Sequence, residues 1–304
     1  MSKVVLVTGC RSGFGFETAM LAANEGHRVY AGLRDLAGSG EFVRACAGKS
    51  IIPLQLDITD ASQRKAAIAR IADDEGRLDV LVNNAGTALG GFLEQIDEDE
   101  LRALFEINVF ATFAMTQAAL PLMRGEQRQS TIVMISSMSG RLAYPGLGAY
   151  ASSKFAIEGM AEAWRQELRE HGVRVVVVEP AMYKTSIFER NRRVGRRVDE
   201  PGNPYARRWS EFMRAYVALV DKTAGEPIEV AELILALIEQ ADPVLRHPIG
   251  QGSRAREMLA RLAPYSVVEW LIPKVFEHTL RSLSETPRTG IGGRARPTLR
   301  RDRA

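Results

Sequence analysis

The chain has 304 residues, of which 46% are hydrophobic and 25% are charged, and its formal net charge is +3. This composition excludes an intrinsically disordered chain, and the length suffices for a large buried core. The segment Arg190–Arg208 has seven Arg and two acidic residues, a net charge of +5. The segment Arg288–Ala304 has six Arg and one Asp, also a net charge of +5. The rest of the chain therefore carries a net charge of −7. A body this acidic argues against nucleic acid as a partner.

The sequence also argues against a membrane-spanning or secreted protein. No stretch approaches the roughly 18 to 20 consecutive apolar residues of a spanning helix, and the first apolar run is too short for a secretory signal. Two cysteines, Cys10 and Cys46, cannot supply a disulfide framework. We therefore expect a cytoplasmic protein, and we expect no metal site.

Short apolar runs alternate with longer amphipathic stretches over the first 185 residues. The predicted strands are Lys3–Val7, Arg28–Leu33, Ile51–Leu56, Asp79–Val82, Thr131–Ser136 and Val173–Val178. The predicted helices lie at about 14–25, 61–75, 98–124 and 150–170. This alternation is typical of βαβ units, so we predict an α/β fold with a doubly wound parallel sheet covered by helices on both faces.

The regular alternation ends after residue 185. Arg190–Arg208 combines Gly, Pro and Arg and predicts a mobile loop, within a lid over residues 186–226. Helices are expected at about 209–222 and 227–240, followed by a strand near Val244–Ile249. We place the domain at residues 1–250 and a helical extension at 251–285, interrupted by Pro264 and Pro273. The basic tail, 286–304, is expected to be disordered.

A glycine-rich segment follows the first predicted strand directly. It reads Thr8-Gly9-Cys10-Arg11-Ser12-Gly13-Phe14-Gly15 and leads into the first helix. Glycines there permit a tight turn and let the backbone approach a pyrophosphate at the helix N-terminus. The alternative is a glycine-rich turn with no ligand, since this spacing is a weak signal by itself.

The end of the second strand bears on the choice of cofactor. An acid usually ends this strand in proteins that prefer NAD, whereas here Leu33 is followed by Arg34. A guanidinium suits a ribose 2′-phosphate, and Arg11 could add to the same anion site. We therefore favour NADP(H). NAD(H) stays possible through an alignment that puts Asp35 on the ribose.

Several polar residues later in the chain are candidates for a catalytic role. Tyr150 and Lys154 are spaced i, i+4 at the start of a predicted helix, so they share one face. Ser137 comes just after a predicted strand, and Asn108 lies within a predicted helix. Taken singly, each has a structural explanation as a core aromatic, a surface cation or a helix cap.

Taken together, these motifs resemble the short-chain dehydrogenase/reductase family over about residues 3–185. The matching features, in chain order, are Thr8–Gly15, Asp57, Asn83–Gly86, Asn108, Ser137 and Tyr150-x-x-x-Lys154. The resemblance implies a single Rossmann-type domain with about seven parallel strands. It also implies hydride transfer between a nicotinamide and an alcohol or ketone, and a homodimer or homotetramer.

The resemblance assigns roles to individual residues. The implied catalytic residues are Asn108, Ser137, Tyr150 and Lys154. Tyr150 would be the general acid/base, and Lys154 would lower the pKa of the Tyr150 phenol. Ser137 would hydrogen-bond to the substrate oxygen, and Asn108 would hold a water. The predicted cofactor-binding residues are Gly9, Arg11, Ser12, Gly13, Phe14, Gly15, Arg34, Asp57, Ile58, Asn83, Ala85, Gly86, Tyr150, Lys154, Pro180 and Thr185. Ala181 departs from the family's usual Pro-Gly, and a positive φ there would strain it.

The substrate side is less defined by sequence. The predicted substrate-binding residues are Met138, Tyr144, Leu147, Met182 and Tyr183, with further apolar candidates between 186 and 226. The layout looks like the hydroxysteroid and retinol dehydrogenase branch, which favours a hydrophobic ketone, aldehyde or alcohol. Alternatives are a 3-oxoacyl or polyketide-type ketoreductase and a non-catalytic dinucleotide sensor. The extension is interpreted as a cover, a subunit contact or, less readily, a membrane-surface anchor.

Overall fold

The computed structural model describes residues 2–125, 129–185 and 192–284. The predicted disordered tail, 286–304, and residues 186–191 of the predicted lid lie outside the described residues.

The strands are β1 (Val4–Thr8), β2 (Arg28–Leu33), β3 (Ile51–Gln55), β4 (Val80–Asn83), β5 (Ala88–Gly90), β6 (Ser130–Ile135), β7 (Val173–Pro180), β8 (Arg192–Val194) and β9 (Arg246–Ile249). Seven of them form one parallel sheet in the order β3-β2-β1-β4-β6-β7-β9. The prediction of a doubly wound parallel sheet is confirmed. Pro53 is tolerated because β3 is an edge strand, where a missing donor leaves no neighbour unsatisfied.

The helices are α1 (Gly13–Asn24), α2 (Gly40–Ala45), α3 (Ala61–Glu75), α4 (Glu98–Phe105), α5 (Thr112–Met123), α6 (Gly148–Glu167), α7 (Ala206–Thr223), α8 (Pro227–Glu239), α9 (Ser253–Leu262) and α10 (Tyr265–Ser284). One core lies between the sheet and α3, α5 and α6, and the other lies between the sheet and α1, α2 and α8. Because both faces are covered, the central strands are apolar throughout rather than alternating.

The segment Glu98–Met123 corrects one expectation from the sequence. It is a continuous helical stretch of 26 residues, long and apolar enough to cross a membrane by length and composition. Half of it is buried, and its inner residues Met115, Ala119 and Met123 pack in the core beside the sheet. Charged and polar residues interrupt the apolar run, so a count of consecutive residues misses it. A core helix that packs against a sheet can be as long and as apolar as a membrane-spanning helix.

The Arg-rich segment is more regular than the predicted loop. Arg192–Val194 form β8, which pairs in parallel with β5, and a 3₁₀ turn covers Arg196–Asp199. The Arg196 guanidinium pairs with Asp97 at 3.2 Å and also with Asp99, at the acidic start of α4. Local composition could not reveal this, because the acidic partners lie about 100 residues earlier. Part of the basic charge is therefore matched within the chain.

The C-terminal extension consists of two helices, α9 and α10. Pro264 falls between them, as the sequence indicated, but Pro273 lies inside α10 and does not end it. A proline within a helix removes one backbone hydrogen bond, and packing outweighs that loss here. Phe276 and Leu280 of α10 are buried in a cluster with Trp209 and Phe212 of α7. The extension thus covers α7.

Candidate active site

The glycine-rich turn after β1 is closed against neighbouring backbone. Gly9 and Gly13 have φ of +72° and +64°, a region that favours glycine. A Cβ on Gly15 would lie 2.6 Å from the Gly9 carbonyl oxygen and 2.4 Å from Asn84 Nδ2. The Asn84 amide donates to the carbonyls of Thr8 at 2.8 Å and Gly9 at 3.1 Å. The turn has no room for a side chain at Gly9 or Gly15, so the backbone at the N-terminus of α1 is open to a dinucleotide pyrophosphate.

Neighbouring residues of the predicted cofactor site surround this turn. Arg11 is exposed, Ser12 precedes α1, and Phe14 meets Tyr183 edge to face with ring centroids 5.4 Å apart. Thr185 Cγ2 would lie 3.4 Å from a Cβ on Gly13. The segment after β7 therefore closes over the glycine turn.

The end of β2 presents two charged residues with different surroundings. Leu33 is buried, while Arg34 and Asp35 are exposed. Asp35 Oδ1 accepts a hydrogen bond from the Gly38 amide at 2.9 Å, which holds it in a local turn. No such local partner engages the Arg34 guanidinium among the hydrogen bonds of the described residues. This geometry suits an anion next to Arg34 better than a ribose hydroxyl next to Asp35.

The residues predicted to contact adenosine divide between cleft and core. Asp57 Oδ1 accepts from the amide and hydroxyl of Thr59, and Ile58 is buried beside it. Asn83 is buried, and its side chain donates to Thr116 Oγ1 at 2.9 Å. Its contact with the adenosine stays a prediction. Its neighbour Asn84 faces the glycine turn instead, a role that the sequence did not single out.

Ala85 and Gly86 lie close to the glycine turn and to the centre of the site. A Cβ on Gly9 would be 2.9 Å from Ala85 Cα, and one on Gly86 would be 3.3 Å from Asn108 Oδ1 and 3.9 Å from Lys154 Nζ. The loop after β4 therefore links the predicted cofactor residues with the predicted catalytic residues.

Tyr150, Lys154 and Ser137 come together in the interior. Tyr150 and Lys154 lie on one face of α6, and the Lys154 ammonium is 5.7 Å from the Tyr150 ring centroid. Ser137 follows β6 and is hydrogen-bonded to the Tyr150 phenol. Lys154 Nζ donates to the Ile135 carbonyl at 2.8 Å. Tyr150 and Lys154 are only 4% and 6% exposed, so each group's charge state is set by its neighbours.

Burial shifts both groups in a direction that defines their chemistry. It raises the pKa of Tyr150 to about 12, against the opposing effect of the Ser137 hydrogen bond. It lowers the pKa of Lys154 to about 8, against the opposing charge of Glu158. At neutral pH the phenol is therefore protonated and the ammonium is charged. The pair can donate a proton to an oxygen placed beside the phenol.

Asn108 lies in a single π-helical turn, Glu106–Ala111, between α4 and α5. Its amide accepts from the Thr87 N–H and donates to the Thr87 carbonyl, both at 2.9 Å, and donates to Ser153 Oγ at 3.0 Å. Such turns are frequent at functional sites because they re-aim a side chain. Asn108 thus ties the loop after β4 to α6 next to Lys154.

The segment after β7 is unstrained despite its departure from Pro-Gly. Among the described residues, no residue other than glycine has a positive φ, so Ala181 after Pro180 fits without strain. The Ala181 amide donates to the Ile249 carbonyl at 2.8 Å, and the Thr185 amide donates to the Tyr183 carbonyl at 2.9 Å.

The predicted substrate residues separate into two groups. Leu147 borders an apolar cleft whose other lining residues are Ala88, Gly90, Trp209, Phe212, Met213 and Tyr216. Met138 is buried directly after Ser137, and Tyr144 and Met182 are half-buried. Tyr183 packs beside α1 and α8 and donates to Glu229 Oε2 at 3.3 Å, and its contact with a substrate stays a prediction.

Comparison with known proteins identifies one family of relatives. Residues 3–194 match the family model described as short chain dehydrogenase. The 3-ketodihydrosphingosine reductase of Bacteroides thetaiotaomicron is 30% identical over 281 residues, 92% of this chain and 97% of the relative. Human 17-beta-hydroxysteroid dehydrogenase type 1 is 34% identical, covering 80% of this chain and 76% of the relative. The solved structure of ElxO with NADP bound is 26% identical with a TM-score of 0.69, covering 84% of this chain and 100% of ElxO.

Proposed function

The chain belongs to the short-chain dehydrogenase family, and on that premise we propose that it interconverts a hydrophobic ketone or aldehyde and its alcohol with NADP(H). The observation that carries this proposal is the buried arrangement of Tyr150, Ser137 and Lys154. A sensor that only binds a dinucleotide has no need of a protonated phenol beside a buried ammonium. The cytoplasmic location stays part of the proposal.

In the reductive direction, Tyr150 transfers its phenolic proton to the substrate oxygen. Ser137, already hydrogen-bonded to the phenol, donates to the same oxygen and orients the carbonyl. The charge of Lys154 stabilises the phenolate that remains. The nicotinamide, when bound, supplies or accepts the hydride. Asn108 maintains the geometry by tying Thr87 to Ser153, the residue directly before Lys154.

The residues of the glycine turn fit a dinucleotide, and Arg34 supports the phosphorylated form. The turn has no space for a side chain at Gly9 or Gly15, and α1 offers its backbone N–H groups at that point. The exposed Arg34 guanidinium lies at the end of β2, where the adenosine ribose is bound in Rossmann-type folds. The NADP bound to ElxO is consistent with the same preference.

Arg34→Ala is expected to lower kcat/KM for NADPH by about 10- to 100-fold and to leave kcat/KM for NADH nearly unchanged. The reason is the loss of charge-assisted hydrogen bonds to the 2′-phosphate, worth about 1.5–3 kcal/mol. Steady-state kinetics with both cofactors measures the ratio. Arg70→Ala, which removes an exposed Arg on α3, is the matched control and should change neither value. Equal losses with both cofactors in Arg34→Ala would contradict the assignment.

The apolar lining of the cleft next to Leu147 supports a hydrophobic substrate. Its lining is aliphatic and aromatic, and Phe276 of α10 stacks on Phe212 with centroids 6.0 Å apart. An apolar lining binds the hydrophobic part of a substrate, while Ser137 and Tyr150 would orient its carbonyl group. Relatives named for ketodihydrosphingosine and hydroxysteroid substrates are consistent with this class.

A substrate panel tests the function directly. Purified protein with NADPH should reduce long-chain and polycyclic ketones with a kcat/KM at least tenfold above that for small polar ketones, because the apolar residues of the cleft favour apolar substrates. NADPH absorbance follows the reaction, and the alcohols with NADP⁺ give the reverse direction. Preference for ketones linked to a carrier protein would favour the ketoreductase alternative. Absence of turnover on the whole panel would contradict the proposed function.

A further inference from the structure

A buried cluster of charged side chains lies directly behind Lys154. Glu158 of α6 and Glu179 of β7 are 4% and 0% exposed. Arg246 of β9 reaches both, and its Nη1 donates to Glu179 Oε1 at 2.9 Å and also to Glu158 Oε2. Arg141 adds a second guanidinium, with Nε 3.9 Å from Glu179 Oε1. Two strands, one helix and the segment after β6, which are far apart in the sequence, thus meet at one point.

Glu158 is the link between this cluster and the proposed catalytic pair. It lies four residues after Lys154, so the two side chains share one face of α6. The Lys154 ammonium has a carbonyl partner, Ile135, which is a dipole and does not neutralise its charge. A buried ammonium without an anion nearby loses its proton readily. The charge of Glu158 opposes that tendency.

Glu158 depends in turn on the guanidinium groups. Burial raises the pKa of its carboxyl, while a hydrogen bond from Ser136 and the charges of Arg246 and Arg141 lower it. Burial and the nearby Glu158 charge also raise the pKa of Glu179, to about 7. Each carboxylate has one oxygen, Glu158 Oε1 and Glu179 Oε2, with no hydrogen-bond partner among the described residues. Arg246 bonds both carboxylates and so stabilises their charge, including that of Glu158 one helical turn from Lys154.

We propose that Arg246 and Glu158 are positioning residues that hold Lys154 in its ammonium form during turnover, a role that rests on the proposed function. The charged and titratable groups facing Lys154 or Glu158 are Tyr150 and Glu162 on α6, Arg141 after β6, Glu179 on β7 and Arg246 on β9. Glu162 also pairs with Arg246 but is 54% exposed, so solvent screens its charge. Arg246 thereby couples the C-terminal strand to proton transfer at Tyr150.

The test is the pH dependence of kcat for ketone reduction. In the wild type, kcat should fall as the pH rises through about 8, where Lys154 loses its proton. In Glu158→Gln the loss of a neighbouring anion lowers the pKa of Lys154, so this alkaline fall should move to lower pH by about one unit or more. At pH 8 kcat should then drop about fivefold or more, while at pH 6 it should stay near the wild-type value.

Two further variants separate this role from a structural one. Glu162→Gln removes a carboxylate bound to the same Arg246 and should leave the alkaline fall in place. Arg246→Gln leaves Glu158 buried without its cation and should shift the profile in the same direction as Glu158→Gln. It serves as the second test if Glu158→Gln does not fold, which circular dichroism decides. A loss of kcat that is equal at every pH, or an equal shift in Glu162→Gln, would overturn the proposal.

A measurement without turnover separates this inference from the proposed function. ¹³C NMR of the lysine ε-carbons titrates Lys154 in wild-type and variant protein, with Lys154→Arg identifying the signal. A wild type that reduces no ketone but whose Lys154 titrates lower in Glu158→Gln would refute the proposed function alone. An active wild type whose Lys154 pKa is the same in Glu158→Gln would refute the inference alone.

Discussion

Tyr150→Phe is expected to lower kcat for ketone reduction by about 10²- to 10⁴-fold, the contribution typical of a positioned general acid. The substitution removes the only phenol that lies between the Ser137 hydroxyl and the Lys154 ammonium within the described site. Phenylalanine keeps the ring and its packing in α6, so the fold and the binding of NADPH should be retained. Single-turnover kinetics at saturating NADPH, with NADPH affinity from fluorescence, measures both quantities.

Tyr30→Phe is the matched control for this substitution. Tyr30 lies in β2 outside the site, is fully buried and loses the same hydroxyl. We expect its kcat to stay within a few-fold of the wild type, because the proton is not taken from Tyr30. A Tyr150→Phe protein with near-normal kcat would rule out Tyr150 as the proton donor.

Gly9→Ala is expected to destabilise the protein by about 1–3 kcal/mol and to weaken NADPH binding at least tenfold. Two effects add at this position. The φ of +72° is unfavourable for alanine, and the new Cβ would lie 2.9 Å from Ala85 Cα, which is backbone and cannot move aside cheaply. Displacing the loop after β4 also disturbs the surface on which the dinucleotide rests. Thermal unfolding and NADPH titration give the two effects.

Gly26→Ala separates strain from steric conflict. Gly26 has a φ of +86°, yet a Cβ there would meet no heavy atom within 4 Å. We expect Gly26→Ala to show the cost of the backbone conformation alone, about 1–2 kcal/mol, with unchanged NADPH affinity. If both variants bind NADPH like the wild type, the close approach at Gly9 has no part in cofactor binding.

Much of the fold and the site could be predicted because the signals are local. The apolar runs that became β1, β2, β4, β6 and β7 are short and buried on both faces, so their composition alone identifies them. Tyr150 and Lys154 share a helix face by their spacing, and the glycine turn follows its strand directly. The roles assigned to these residues stay predictions until the variants are measured.

The adjacent residues Asn83 and Asn84 show what the local sequence could not predict. Asn83 and Asn84 follow one another at the end of β4, and one side chain enters the core while the other holds the glycine turn. Successive residues of a strand point to opposite faces, but the residue at which the strand ends decides which asparagine faces the cleft. Tyr183 is a similar case, because only the structure shows that its ring packs beside α1 and α8.

The Arg-rich segments and the buried charged cluster show the same difference between what the sequence determines and what the tertiary structure decides. The sequence by itself determined the alternation of strands and helices, the family motifs and the concentration of Arg in two segments of an acidic chain. Only the tertiary structure decided that Arg196 pairs with the acidic start of α4 and that Arg246 meets Glu158 and Glu179 behind Lys154. Periodicity acts over a few residues, whereas ion pairs depend on which elements the sheet order brings together. Burial then determines how strongly such charges act, and burial is a property of the folded chain.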